Sequence, residues 1–175
     1  MIVADKQREA AAKGAMAVLR FGREPNIERH RTAISRADLS RPVRLAKEMG
    51  LLPLGTSFFD YGCGRGHDLR LLEKDGYEVA GWDPNHHPRT AKTQAEIVNL
   101  GYVVNVIEDP QERVQAIQSA WALTKSVLVV AARLTHEIKQ LADGGEAFAD
   151  GTLTSRSTFQ KFFAQSELRT WIDES

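Results

Sequence analysis

Phe58-Phe-Asp60-Tyr-Gly62-Cys-Gly64-Arg-Gly66-His-Asp68 is an apolar, aromatic run that passes through three glycines into an amphipathic one. That order reads as a strand that turns sharply into a helix. Glycines at 62, 64 and 66 let the backbone turn tightly and approach a ligand without a Cβ in the way, and the following helix aims free N–H groups at whatever is bound. In an open sheet of parallel strands, nucleotide-like ligands bind at such a junction.

Outward from this loop, short apolar runs alternate with helical periods. The first strand covers Thr56–Tyr61, a helix runs over Asp68–Asp75 and stops at Gly76, and Tyr77–Trp82 is a second strand. Ala95–Asn99 is a third. Next comes a helix with Asp109 as N-cap, Pro110 at its first position, Glu112 completing a capping box, and Val114, Ile117 and Trp121 on one face. Ser126–Ala132 reads as a fully buried strand. Beyond it, Thr135 opens a helix, Asp143–Gly151 is a loop, and closing helices carry Leu168, Trp171 and Ile172 on one face. Upstream, Ser40 caps a short helix that ends before Gly50, and residues 5–20 are Ala-rich and helix-favouring.

This alternation implies an α/β fold, Rossmann-like, with a mostly parallel sheet and flanking helices. Only about a dozen residues separate Asp83 from Ile97, barely enough for a crossover, so the sheet is expected to be trimmed at the edge after the second strand. Whatever shields that edge of the site must come from 85–92 or from the N-terminal segment. The expected division is a basic, helical segment over 1–50 packed on a ligand-binding domain over 51–175, one globular unit in all.

Composition narrows the class. At 175 residues and 42% hydrophobic the chain supports one core. Net charge is zero, but residues 1–50 hold 11 Lys/Arg against 6 Asp/Glu while 51–175 hold 12 against 17. A basic entry segment on an acidic body hints at an anionic substrate or merely a solvated face. Cys63 is the only cysteine, no Cys/His spacing resembles a zinc site, and neither a signal peptide nor a membrane span is legible. The expectation is a cytoplasmic protein with no metal and no membrane partner.

Three features separate the loop from a dinucleotide fingerprint. The spacing is Gly-x-Gly-x-Gly, Asp60 stands two places before the first glycine, and 175 residues leave little room for a second catalytic domain. S-adenosylmethionine fits better than a nicotinamide cofactor. Asp83, closing the second strand 23 residues after Asp60, is positioned to accept from the ribose hydroxyls. Trp82 or Pro84 would pack on the adenine, and Tyr61 and Cys63 complete the cofactor loop. Cys63 is a small filler with no evident base, not a nucleophile. Adjacent His86 and His87 suit a solvated loop better than a metal.

Asn99-Leu-Gly-Tyr102 falls where such domains deliver residues to the reacting methyl group, and it reads two ways. Asn99 and Tyr102 match the ends of the Asn-Pro-Pro-Tyr motif of amino-methylating DNA enzymes. Without the prolines, the strand could instead lead through a loop into an apolar helix start, with Val103, Val106 and Ile107 as core; their absence favours this second reading. His30, His67 and Tyr102 are candidates to orient an acceptor proton.

From Ile27 to Glu174 the chain resembles the DNA phosphorothioation-associated methyltransferases. The matching passages are Ile27-Glu-Arg-His-Arg-Thr-Ala33, Leu39-Ser-Arg-Pro42, Phe59-Asp-Tyr-Gly-Cys-Gly-Arg-Gly66, Gly81-Trp-Asp-Pro84, Val98-Asn-Leu-Gly-Tyr102, Val129-Val-Ala-Ala-Arg133 and Leu153-Thr-Ser-Arg156. The resemblance implies a class I methyltransferase that uses S-adenosylmethionine, linked to bacterial systems that put sulfur into DNA. Its partners would be DNA or proteins of that system. Asp60, Gly62, Gly64, Gly66, Asp83 and Asn99 carry over as cofactor-pocket residues. His30, Arg31, Ser35, Arg41, Thr154, Ser155 and Arg156 are expected around the substrate mouth. The competing expectation is a non-catalytic module of the same fold that docks on DNA or a protein.

Overall fold

A computed structural model describes residues 25–140 and 145–175, so the expected helix over 5–20 lies outside the described residues. Four parallel strands form its centre: β1 (Ser57–Tyr61), β2 (Glu78–Trp82), β3 (Ala95–Gly101) and β4 (Thr124–Ala131), in the order β2-β1-β3-β4. The chain passes from β1 to β2 on one side and then to β3 on the other. The sheet therefore has a switch point between the carboxyl ends of β1 and β3, where a crevice must open. No helix joins β2 to β3; the stretch 83–94 crosses in turns, and β2 is left as the trimmed edge.

Alternation along the strands feeds two cores. Phe58 and Ile97 point to the face covered by α1 (Arg41–Glu48) and α2 (His67–Lys74), where Val43, Leu52, Leu72 and Tyr77 are buried with them. Phe59, Val98 and Leu100 point to the opposite face, which packs on α3 (Pro110–Leu123). α4 (Gln165–Glu174) closes that core with Leu168, Trp171 and Ile172, the face expected from the sequence.

Three expectations need correcting. Asp109 caps α3 through a hydrogen bond from the Gln111 N–H (2.8 Å), but the carboxylate of Glu112 is taken by Arg29, so no capping box closes. The buried face of α3 is Arg113, Ala116, Ile117 and Ala120; Trp121 is 64% exposed and Val114 only half-buried. A spacing of three and four gives that stripe, whereas 114 and 121 lie on its flank. β4 is not fully buried: it pairs with β3 alone, and Lys125 and Ser126 are exposed.

Past β4, Thr135–Gln140 is a 3-10 helix and not an α-helix. A small antiparallel sheet that the sequence did not announce then forms from β5 (Glu146–Phe148), β6 (Gly151–Leu153) and β7 (Phe159–Gln160). Its strands are two or three residues long, too short for alternation to register. Phe159 is fully buried there, and a Cβ on Gly151 would collide with its ring. Among the described residues no helix is long and apolar enough to cross a membrane.

Charge ties this sheet to the body. The Arg113 guanidinium, on the buried face of α3, meets Asp150 at 2.6 Å, and Lys161 bridges Asp150 (3.1 Å) and Glu167 (2.9 Å). Asp150→Ala leaves that guanidinium, 4% exposed, without a carboxylate. Urea unfolding should register a loss of about 2–3 kcal/mol. A change indistinguishable from zero would show that the network contributes nothing to stability.

Candidate active site

The crevice at the switch point is a cavity of about 690 Å³. Its floor is built by strand register: Asp60 in β1 stands directly beside Asn99 in β3, and the Asn99 amide donates to Asp60 Oδ1 at 2.8 Å. Both side chains are buried, and Asn99 Oδ1 has no partner. Burial raises the Asp60 pKa to about 7, with only the Asn99 hydrogen bond and, more weakly, Arg36 opposing. The Asn99 amide N–H is thus turned to Asp60, while its Oδ1, the atom that would accept from an amine in the Asn-Pro-Pro-Tyr reading, has no partner.

The glycine loop arches over this floor. Gly62 sits at φ 86°, and a Cβ there would run into Val103. Gly64 (φ 52°) lies under Ala33, and Gly66 is the left-handed N-cap of α2. At 62 and 64 the space that a Cβ would need is filled by the protein's own Val103 and Ala33. Asp83 holds the same loop from β2: Oδ2 accepts from the Gly64 N–H (3.1 Å), and Oδ1 from the Asn85 (2.9 Å) and His86 (2.8 Å) N–H groups. Of roughly four carboxylate acceptor sites, one is left, so there is room for one ribose hydroxyl beside these bonds and not two.

Tyr61 and Trp82, tilted rings 5.1 Å apart, form one wall. Lys92 lies over the Trp82 ring (3.6 Å) and donates to the Tyr61 hydroxyl (3.2 Å), so it covers the edge where the sheet is trimmed. Pro84 lines the same cavity. Cys63 is half-buried, and burial pushes its thiol up to about 12, which makes a thiolate nucleophile untenable at neutral pH.

The opposite wall is a strap over 27–36, with a 3-10 turn at Arg29–Thr32. Arg29 grips Glu108 with two hydrogen bonds (2.8 Å each) and Glu112 with two more. These bonds raise the Arg29 pKa; burial pushes Glu108 up, but Arg29 outweighs it and holds that carboxyl below its usual range. At the other end, Asp68 accepts from the Ser40 N–H (2.7 Å). No sequence motif marks Arg29 or Glu108 as site residues, because they lie 79 positions apart, whereas Lys92 falls within 85–92, one of the two stretches expected to shield the edge.

The expected substrate residues separate into two groups. His30 and His67 line the cofactor cavity, where partial burial and neighbouring Arg70 and Arg36 lower the His67 pKa. Arg31, Arg41, Thr154, Ser155 and Arg156 line a second cleft instead, and Ser35 lines neither. Tyr102 borders both, at a positive φ of 61°, with its N–H on the Ala131 carbonyl (2.7 Å). Such strain costs on the order of 1–3 kcal/mol in a non-glycine residue and clusters where function fixes the backbone. Ile107 is buried as the second reading expects, but Val103 and Val106 are half-buried on the cavity wall, and the stretch runs in turns with no helix before Pro110, where the helix that Asp109 caps begins. Among the described residues no group of three or more His, Cys, Asp or Glu could hold a metal.

Comparison with known proteins adds the following. A family described as a methyltransferase domain matches residues 26–173. No curated protein matches the chain. Among solved structures, it is similar to a SAM-dependent methyltransferase from Thermotoga maritima, described as a possible histamine N-methyltransferase. The two are 15% identical, the match covers 83% of this chain and 72% of that one, and the TM-score is 0.44.

The buried Asp60 makes a pH prediction. Its folded pKa, about 7, lies above the unfolded value near 3.8, so its contribution to stability is complete below pH 4 and is lost as pH rises through 7. Asp60→Asn should remove that loss. In urea unfolding, the stability difference between variant and parent should move in the variant's favour by at least about 1 kcal/mol from pH 5 to pH 8. A pH-independent difference would contradict the assignment.

Proposed function

We propose, from the premise that this chain belongs to the methyltransferase-domain family, that the acceptor of its methyl group is a nucleic acid, in first place DNA. The chain is an S-adenosylmethionine-dependent methyltransferase. The cavity suits that cofactor on three counts: its volume is in the range of small-molecule sites, its floor holds a buried and unpaired Asn99 Oδ1, and one acceptor position is left on Asp83. Bound S-adenosylmethionine supplies an electrophilic methyl group, so no side chain need act as nucleophile.

What remains for the residues is to bind, align and shield. In this reading the start of α2 receives the anionic methionine end, as N–H groups at a helix N-terminus do, while the Gly62, Gly64 and Gly66 N–H groups hold the loop itself through Trp82, Asp83 and Cys63. Asp83 takes one ribose hydroxyl, and Trp82 or Pro84 packs on the base. The strap excludes water. Tyr102 stands where an acceptor entering from the second cleft would meet the cofactor cavity. His67, its pKa lowered and the ring therefore neutral at pH 7, is available to take an acceptor proton.

The observation that carries the nucleic-acid reading is that the two cavities meet at Tyr102 and that the second is basic: six arginines line it against one carboxylate, Glu137. The link to DNA phosphorothioation systems, as substrate or as protein partners, rests on the sequence resemblance over 27–174. To test the reading, the protein is incubated with S-adenosylmethionine labelled in its methyl group and with DNA, RNA or protein. Label should accumulate in nucleic acid, and Tyr102→Ala should slow it by about tenfold or more. Label confined to protein or small molecules would refute it.

A further inference from the structure

The second cleft, of about 600 Å³, is walled by arginines from four separate parts of the fold: Arg31 and Arg36 from the strap, Arg41 and Arg44 from α1, Arg133 after β4, and Arg156 before β7. Half of them are neutralised nearby: Arg31 by Glu28 (2.9 Å), Arg36 by Asp68 (3.9 Å) and Arg44 by Glu48 (3.8 Å). Arg41, Arg133 and Arg156 have no carboxylate partner among the described residues. Glu137, the one acid on the cleft wall, is used locally, accepting from the Leu134 N–H at 3.1 Å. Like charges brought together without counter-ions repel each other unless an anion neutralises them.

Two orphaned polar atoms border the same space. Ser40, 4% exposed, has an Oγ with no partner, and Asn105, 1% exposed, gives its amide N–H to Gln160 (3.1 Å) while its Oδ1 has none. Buried polar atoms left unpaired are rare because each costs about 1–3 kcal/mol. A ligand that carries both anionic oxygens and a hydroxyl or amine would answer the arginines and Asn105 together.

We propose that this cleft is a phosphate site in which Arg41, Arg133 and Arg156 hold a phosphate of the methyl acceptor, with Asn105 taking a sugar hydroxyl or base amine beside it. The guanidinium fork matches phosphate oxygens in pairs, which suits the task better than lysine, and the cleft lining contains no lysine. The phosphate lies on one side of Tyr102 and the cofactor on the other, so it sets how far the acceptor reaches toward the methyl group. The proposal rests on the nucleic-acid reading above and assigns that reading its anchor.

The test is calorimetric titration of the whole chain with inorganic phosphate, a 5′-mononucleotide and a single-stranded oligodeoxynucleotide. It is run on the parent, on Arg133→Gln and on the surface double variant Arg41→Gln/Arg156→Gln, with S-adenosylmethionine binding as the folding control. The expected result is oligonucleotide and mononucleotide binding that each variant weakens about tenfold or more. The slope of affinity against salt for the oligonucleotide should fall by about one per arginine removed. Cofactor affinity should not change. Oligonucleotide binding that neither variant alters would overturn the cleft assignment and leave the nucleic-acid reading standing. Variant-sensitive mononucleotide binding with no oligonucleotide binding would keep the phosphate site and overturn the nucleic-acid reading. No binding of any of the three would overturn both. If Arg133→Gln does not fold, the double variant, at two exposed positions, decides alone.

Discussion

A carboxylate buried beside an amide, Asp60 against Asn99 at the carboxyl ends of β1 and β3, is the constraint around which this site is organised. Two parallel strands that diverge in connectivity leave a crevice, and a crevice floored by apolar side chains alone would bind an apolar guest. A buried acid whose pKa has risen to about 7 and an unpaired amide oxygen instead give the floor polar needs that the protein does not itself meet. The loop above follows from the same point: Gly62 turns directly after β1 and is pressed on Val103, which leaves β3 two residues beyond Gly101. Any shift of β1 against β3 would therefore disturb floor and roof together.

The strap joins this floor to the rest of the molecule. Arg29 is fixed by Glu108 and Glu112 at the approach to α3, Ala33 covers Gly64, and the Ser40 N–H ends on Asp68 of α2. The strap also reaches the small sheet, where the Glu28 N–H donates to the Ser157 carbonyl (2.7 Å) and Arg31 to the Arg156 carbonyl (3.4 Å). One segment thus touches the cofactor loop on one side and the arginine cleft on the other. In the proposed function this segment lies between the two reactants, whose alignment is what the protein contributes to methyl transfer.

The central α/β architecture was legible because its signals are local: the strand–glycine–helix order at 57–74, the cap of Asp109 and Pro110, and the short connection after Asp83. Asp60, Gly62, Gly64, Trp82, Asp83 and Pro84 line one cavity because that same local order puts them at the ends of adjacent strands. What failed depends on contacts between distant positions. Glu112 looked like half of a capping box until Arg29 claimed it, and Trp121 looked buried because a heptad spacing mimics a helical face. The hydrogen bond from the Asn99 amide to Asp60 was not legible, because the register that sets the two side by side cannot be seen from one strand. β5, β6 and β7 are too short to carry a pattern, and no motif draws Arg133 and Arg156 together.

The most direct measurement is a calorimetric titration of the purified chain with S-adenosylmethionine and S-adenosylhomocysteine, with NAD as control and Asp83→Ala alongside. Saturable binding of the first two and none of NAD, weakened in the variant by about 2–3 kcal/mol, is the result predicted by a cavity built on Asp60, the glycine loop and Asp83. A folded protein that binds neither sulfur compound, or a variant that binds both as the parent does, would contradict it.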